Sequence, residues 1–142
     1  MLACLGCQVW MCERSGILFS LLEDGLTRAA QEPKISEIIL SRMNLKREDS
    51  IHFLQQNRKI FHTIYLDPMY PHRTKAALNK QEMRVIRELV GKDEDSDRLL
   101  KQALTAAKNR VVVKRPKGAQ TLSDDSPSYV VSMKNSRYDI YL

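Results

Sequence analysis

The sequence predicts an α/β fold in which helices pack on a largely parallel sheet. Three observations predict this fold. Short apolar runs stop abruptly at charged residues, amphipathic segments with helical spacing follow them, and the chain closes with a pair of strand-like segments. Because alternating strands and helices are typical of parallel sheets, we expect an α/β sandwich whose terminal strands form a hairpin.

The first half of the chain predicts two strand and helix pairs. The apolar run at residues 8–12 ends at Glu13, as a buried parallel strand does. Apolar residues recur at helical spacing over 17–29, and Pro33 closes that segment. The pattern then predicts a helix over 36–42, a strand at 44–47 and a helical turn at 51–56.

The second half of the chain begins with the strongest strand signal. Residues 60–66 form a β-branched and aromatic run that stops at Asp67-Pro68. Beyond it the pattern predicts helices over 76–90 and 98–108, a strand at 110–114, and terminal strands at 129–133 and 138–142.

Charge and hydropathy limit the class of protein. The formal net charge is +6, and residues 1–71 carry eight basic and eight acidic side chains, whereas residues 72–142 carry fifteen and nine. A basic half of this kind favours a nucleic-acid partner, although a solvated surface also explains it. No apolar run reaches the length of a membrane span, and the N-terminus has no signal-peptide pattern, so we expect one soluble cytoplasmic domain.

The cysteines do not predict a metal site. Cys4 and Cys7 have the spacing of half a zinc site, but no second pair follows, and the three histidines lie far away. We therefore interpret Cys4, Cys7 and Cys12 as small core residues.

Several polar residues follow the predicted strands and are expected at one rim of the sheet. Ligands of such sheets bind beyond the carboxyl ends of the strands. The candidates are Glu13, Asp49-Ser50, Asp67 and Lys114-Arg115. A carboxylate in the position of Glu13 binds ribose hydroxyls in nucleotide-binding sheets, although a surface residue at a strand end has the same pattern.

The segment Asp67-Pro68-Met69-Tyr70-Pro71 is more specific. It places hydrogen-bond acceptors and an aromatic ring in a stiff loop after a strand. A flat base with an exocyclic amino group fits such a loop, because the Asp67 carboxylate and the Pro68 carbonyl accept its two N–H groups while Tyr70 stacks on the ring. An ordinary proline-rich turn is the alternative.

Basic residues near this rim are candidates for contacts with phosphates. They are His72, Arg73 and Lys75 after the proline loop, and Lys114, Arg115 and Lys117 at the end of the predicted strand at 110–114.

Together these residues resemble a known family, the bacterial ribosomal RNA small subunit methyltransferase J family. The resemblance covers nearly the whole chain. Its motifs are Leu2-Ala3, Gly6-Cys7, Glu13-Arg14, residues 21–26, Tyr65-Leu66-Asp67-Pro68-Met69-Tyr70-Pro71-His72-Arg73, residues 80–85 and 89–91, residues 108–116, and Arg137-Tyr138-Asp139-Ile140-Tyr141.

The resemblance implies a class I, Rossmann-like methyltransferase fold that uses S-adenosyl-L-methionine (SAM) to methylate the N2 amino group of a guanine in 16S rRNA. The partner is then 16S rRNA or the small ribosomal subunit, with no metal. By matching position, the expected cofactor contacts are Glu13, Arg14, Asp49, Ser50 and Asp67, and the expected catalytic residues are Asp67, Pro68 and Tyr70. The family usually has a small hydroxyl residue where Asp49 stands.

The resemblance also implies that residues 1–142 are the C-terminal portion of a single methyltransferase domain. Members of the family carry an N-terminal region, a first strand and a glycine-rich loop ahead of the position that matches Met1. Two alternatives follow for this chain. One is a truncated, catalytically inactive fragment with residual RNA binding. The other is a DNA amino-methyltransferase, whose loops have a similar Asp-Pro-Pro-Tyr pattern.

Overall fold

The computed structural model describes residues 1–68 and 95–142 of the chain. These residues divide into two compact units, Met1–Phe53 and Leu54–Leu142. The helix predicted over 76–90 lies outside the described residues, and so do Met69, Tyr70, His72, Arg73 and Lys75. The assignment of the whole chain to one domain stays a prediction.

The first unit consists of two parallel strands with helices between and after them. A short 3-10 turn at Ala3–Leu5 precedes β1 (Val9–Glu13), and α1 (Gly16–Ala29), α2 (Ser36–Arg42), β2 (Met43–Arg47) and α3 (Ser50–Gln56) follow in order. The register of the pair runs from Val9 opposite Met43 to Glu13 opposite Arg47. Both strands therefore end at the same rim, as the sequence predicted.

The helix α1 leaves several of its apolar side chains exposed. Ser15 caps its start, with Oγ accepting the N–H of Leu18 at 3.4 Å. Three of its apolar residues, Ile17, Leu21 and Leu22, are 54%, 61% and 43% exposed. A unit with two strands has too little apolar surface to cover every side of a helix of this length.

The second unit is a four-stranded mixed sheet with one described helix. Its elements are β3 (Thr63–Leu66), α4 (Ser96–Ala106), β4 (Arg110–Pro116), β5 (Tyr129–Ser132) and β6 (Ser136–Tyr141), and the strands lie in the order β3-β4-β6-β5. The pair β3 and β4 is parallel, whereas β6 runs antiparallel to both β4 and β5. This confirms an α/β fold that ends in a hairpin.

The core of the second unit lies on one face of this sheet. Ile64, Leu66, Val111 and Val113 alternate along β3 and β4 and are buried, as residues that point to the same side of a strand must be when that side is covered. Small or apolar residues of α4 are also fully buried, namely Leu100, Ala103 and Ala106.

Two strand boundaries differ from the prediction. The strand expected at 60–66 begins only at Thr63, because Lys59 has a positive φ of 55° and turns the chain just before it. The strand expected at 110–114 continues to Pro116, because β6 pairs with it as far as Ser136. A local turn thus sets the start of β3, whereas tertiary pairing sets the end of β4.

The cysteines do not occupy the core positions expected of them. Cys4 and Cys7 are exposed and Cys12 is only partly buried, and all three are free thiols. Cys4 and Cys7 lie in and just after the terminal 3-10 turn, where only Ala3 is buried. In the part of the chain that the structure describes, no helix is long and apolar enough to cross a membrane.

Candidate active site

In the first unit, the carboxyl ends of β1 and β2 bring charged residues together. Arg14 follows β1 and Asp49 lies just beyond β2, and Arg14 Nη1 is 3.9 Å from Asp49 Oδ2. Their side chains are 38% and 45% exposed, so the pair faces solvent. The sequence predicted Asp49 at the rim, the family resemblance implied a cofactor contact for Arg14, and the structure brings the two side chains within reach of one another.

Glu13 is held at the same rim by the turn that follows it. Its Oε1 accepts the N–H of Ser15 at 2.7 Å, and the residue is partly buried. A carboxylate has about four acceptor sites, so one hydrogen bond to the turn leaves capacity for a diol. An anchored carboxylate at a strand end fits the ribose hydroxyls of a nucleoside cofactor.

Asp49 has a structural function that the sequence did not indicate. Its Oδ1 accepts the N–H groups of Ile51 at 3.0 Å and His52 at 3.2 Å. This is the geometry of an N-cap, which satisfies amide groups at the start of a helix. Asp49 therefore caps α3, and Ser50 is the first residue of that helix.

The rim of the first unit is acidic enough to affect a nearby thiol. Burial, together with the charges of Glu48 and Asp49, raises the pKa of Cys12 from 9.0 to about 11, and Lys46 opposes the shift. A thiol with this pKa is protonated at neutral pH and is a poor nucleophile. Cys12 is therefore unsuited to covalent catalysis.

In the second unit, the parallel register of β3 and β4 brings Asp67 beside Lys114. Leu66 pairs with Val113, so the next residue along each strand lies at the same level. Lys114 Nζ donates to Asp67 Oδ2 at 2.8 Å, across 47 positions of sequence. Pro68 follows Asp67 and is buried, so the carboxylate stands at the point where the chain leaves the sheet.

Two tyrosines lie near the pair formed by Asp67 and Lys114. Tyr65 lies two residues before Asp67 and therefore on the same side of β3, and Tyr138 pairs with Lys114 in the register of β4 and β6. Their ring centroids are 6.5 Å apart. The pKa of Tyr65 is raised by burial, by the Asp67 charge and by a hydrogen bond with Asp67, and the same carboxylate raises the pKa of Lys114, mainly through its hydrogen bond.

Arg115 points to the opposite face from Lys114, because neighbouring residues of a strand alternate. It is 8% exposed, and its Nε and Nη2 donate to the carbonyl of Gln120 at 3.0 and 2.6 Å. A buried guanidinium that binds the backbone is poorly placed for an RNA phosphate. This position favours a role in holding the loop after β4, and it does not favour the phosphate contact predicted from the sequence.

The same loop is bound from β6. Arg137 Nη1 donates to the carbonyls of Lys117 at 3.2 Å and Ala119 at 2.6 Å. Its Nε and Nη2 bind the two carboxylate oxygens of Asp139, which has no exposed surface. Lys117, predicted to contact RNA, is exposed on the loop that Arg115 and Arg137 hold.

The structure thus pairs predicted residues within each unit, Arg14 with Asp49 and Asp67 with Lys114. Sequence reasoning missed Tyr65 as a partner of Asp67, although its spacing of two residues in a strand was a usable signal. The same spacing places Arg137 beside Asp139 in β6, whereas nothing local indicated the contacts of Arg137 with the carbonyls of Lys117 and Ala119. Among residues 1–68 and 95–142, no group of three or more His, Cys, Asp or Glu side chains is arranged to hold a metal ion.

Comparison with known proteins identifies relatives along the full chain. A family model described as "Putative SAM-dependent methyltransferase" matches residues 1–142. Ribosomal RNA small subunit methyltransferase J of Desulfotalea psychrophila is 55% identical over 99% of this chain and 54% of the relative. The protein of the same name from Haemophilus influenzae is 48% identical over 99% of this chain and 55% of the relative. The chain spans about half the length of the curated relatives it matches.

Solved structures agree with this comparison. A SAM-dependent methyltransferase from Neisseria gonorrhoeae superposes with a TM-score of 0.76 at 33% identity, over 99% of this chain and 58% of that one. A methylase from Haemophilus influenzae shares the fold, with a TM-score of 0.51 at 14% identity, over 94% of this chain and 71% of that one. The resemblance found in the sequence is confirmed, and the chain belongs to the family of SAM-dependent methyltransferases related to ribosomal RNA small subunit methyltransferase J.

Proposed function

We propose that this chain transfers the methyl group of SAM to the N2 amino group of a guanine in 16S rRNA, either free or in the small ribosomal subunit. The observation that carries the proposal is the position of Asp67-Pro68. They stand at the carboxyl end of β3, where the register places Asp67 beside the basic end of β4. The names of the relatives support small-subunit rRNA as the substrate, and the motif resemblance supports guanine N2.

The first unit fits the nucleoside part of the cofactor. Glu13 offers an anchored carboxylate for the ribose hydroxyls, held by its hydrogen bond to the Ser15 amide at 2.7 Å. Arg14, Asp49 and Ser50 lie at the carboxyl ends of the same two strands and complete the proposed contacts. Because the Asp49 carboxylate already caps α3, Ser50 and the nearby backbone are more available than Asp49 to bind the base of the cofactor.

Bound SAM supplies an electrophilic methyl group on a positively charged sulfur. The amino nitrogen of guanine is a weak nucleophile, because its lone pair is delocalised into the ring. The Asp67 carboxylate and the Pro68 carbonyl accept its two N–H groups, direct the nitrogen toward the methyl carbon and stabilise the positive charge that develops as the new N–C bond forms. The bond between sulfur and the methyl carbon breaks as the new bond forms, S-adenosylhomocysteine is the second product, and the surplus proton leaves the nitrogen for solvent. Tyr70, outside the described residues, is proposed to stack on the base.

RNA binding is assigned to basic residues near Asp67. Lys117 is exposed on the loop after β4, and the proposal includes His72, Arg73 and Lys75, which follow Asp67 closely in sequence. Such contacts to phosphates position the RNA without reading its sequence. They also make binding depend on salt concentration.

The test is methyl transfer from isotope-labelled SAM to 16S rRNA and to small ribosomal subunits, followed by nucleoside analysis. We expect N2-methylguanosine from the wild-type chain. For Asp67→Asn we expect kcat to fall by about 10²- to 10³-fold with little change in the KM for SAM. Asp97→Asn is the matched control, since Asp97 is another solvent-facing aspartate bound to a lysine, at 2.9 Å, and it should leave transfer unchanged.

Three results contradict the proposal. These are the absence of transfer to any small-subunit RNA, methylation of a different atom, and full activity of Asp67→Asn. A DNA duplex with the same base composition serves as the competing substrate, and preferential transfer to it favours a DNA amino-methyltransferase.

A further inference from the structure

The contact between Lys114 and Asp67 gives Lys114 a position that its sequence context did not predict. The sequence assigned Lys114 to RNA phosphates, as one of several basic residues at the end of a strand. In the structure its Nζ donates to Asp67 Oδ2 at 2.8 Å. The two side chains are 39% and 43% exposed, less than the 62% and 50% of the Lys101 and Asp97 pair on α4.

Tyr65 approaches the same carboxylate from β3. Its position two residues before Asp67 places it on the same side of β3, and its ring centroid lies 6.5 Å from that of Tyr138. Lys114 lies on β4, between the strands that carry these two rings, and interacts electrostatically with both tyrosines. A lysine that leaves the sheet between two aromatic residues has less freedom than a lysine on an open surface.

Stability alone does not account for the arrangement. Ion pairs between exposed side chains contribute little to folding, and the chain has such a pair in Lys101 and Asp97, 2.9 Å apart on α4. The Lys114 pair differs because it joins the ends of two parallel strands and includes the carboxylate proposed to bind the substrate. A carboxylate that accepts one hydrogen bond from a lysine keeps acceptor sites for an amino group, since it has about four in all.

We propose that Lys114 is a positioning residue that holds the Asp67 carboxylate in one orientation toward the amino group of the base. The inference rests on the proposed function, in which Asp67 accepts an N–H of that group. Lys114 carries a positive charge and therefore also weakens the attraction of Asp67 for the developing charge on nitrogen. Its benefit must come from orientation, because a carboxylate that rotates freely is aligned with the nitrogen only part of the time.

The first test needs no catalytic activity. Three-bond couplings from the backbone nitrogen and carbonyl carbon of Asp67 to its Cγ, measured by NMR on the full chain, report the χ1 rotamer populations. We expect one dominant rotamer in the wild type, averaging among rotamers in Lys114→Met, and recovery of one rotamer in Lys114→Arg. Lys101→Met, which removes the comparable exposed pair, should leave Asp67 unchanged. An Asp67 that keeps a single rotamer in Lys114→Met overturns the proposal.

The second test is methyl transfer to 16S rRNA by the same variants. We expect Lys114→Met to lower kcat by about tenfold, with the KM for SAM unchanged, and Lys114→Arg to recover most of the loss. Rotamer averaging without a loss of kcat overturns the positioning role.

The two tests also separate this inference from the proposed function. Failure of the wild-type chain to transfer methyl groups counts against the proposed function, whereas the rotamer populations still decide whether Lys114 orients Asp67. A uniform loss of RNA affinity in Lys114→Met, with kcat unchanged at saturating RNA, indicates that Lys114 binds RNA phosphates. That result also overturns the proposal.

Discussion

Arg137 binds the fully buried Asp139 through two hydrogen bonds, from Nε to Oδ1 at 2.7 Å and from Nη2 to Oδ2 at 3.0 Å. The remaining nitrogen, Nη1, donates to two carbonyls of the loop after β4. One guanidinium thus neutralises a carboxylate inside the sheet and holds the loop that carries Lys117. Removing either partner of such a pair leaves an uncompensated buried charge or its unpaired donors.

Arg137→Met is therefore expected to reduce the free energy of unfolding by about 3 kcal/mol, measured by urea denaturation of the chain. Arg28→Met is the matched control, because Arg28 and Asp24 form an exposed pair, 2.9 Å apart, on α1. Loss of this pair should reduce the free energy of unfolding by less than about 0.5 kcal/mol. Equal effects of the two variants contradict the importance of burial at Asp139.

Asp49 is expected to stabilise the chain as a helix cap. Asp49→Ala should lower the free energy of unfolding by about 1 kcal/mol, because the amides of Ile51 and His52 lose their acceptor. Asn is also a good cap, so Asp49→Asn should change stability by much less. Thermal denaturation of both variants measures the difference. A loss in Asp49→Asn as large as that in Asp49→Ala indicates that charge, rather than capping, is what matters.

The Asp67 carboxylate is expected to raise the pKa values of two neighbouring side chains, Lys114 and Tyr65. In Asp67→Asn the pKa of Lys114 should fall, because its hydrogen bond with the carboxylate is the largest cause of its raised value. The pKa of Tyr65 should fall only partly, since burial, the first cause of its shift, remains. NMR titration of the lysine Cε and tyrosine Cζ carbons measures both. Lys101, whose pKa is raised by Asp97, is the internal control and should not move.

Cys12 is expected to react slowly with thiol reagents. At pH 8 a thiol with a pKa of about 11 is about a hundredfold less ionised than one with the ordinary value of 9.0. Cys4 and Cys7 are exposed and should react first. Stopped-flow measurement with a disulfide reagent should resolve two fast thiols and a slow one. Glu48→Gln removes a charge that raises the pKa of Cys12 and should speed up the slow phase. A single fast phase for all three contradicts the raised pKa.

Much of the secondary structure followed from local patterns. The strands β1 and β2 were found within one residue of their predicted ends, and the helix over 36–42 has its predicted bounds. These elements are specified by periodicity and by punctuating residues such as Pro33, which act over a few positions. The predicted start of β3 and the predicted end of β4 were less accurate, because the turn at Lys59 sets the first and pairing with β6 sets the second.

For the side chains of the site, too, some properties follow from local sequence and others depend on tertiary pairing. The sequence by itself determined that Glu13, Asp49 and Asp67 lie at or just beyond the ends of strands, since composition and turn residues mark where a strand stops. Only the tertiary structure decided what these residues contact. The register of β3 and β4 gave Asp67 its lysine, the start of α3 made Asp49 a cap, and alternation along β4 buried Arg115 while leaving Lys114 at the surface. Local interactions encode where a residue stands in the chain, whereas its partners depend on the pairing of segments that lie far apart in sequence.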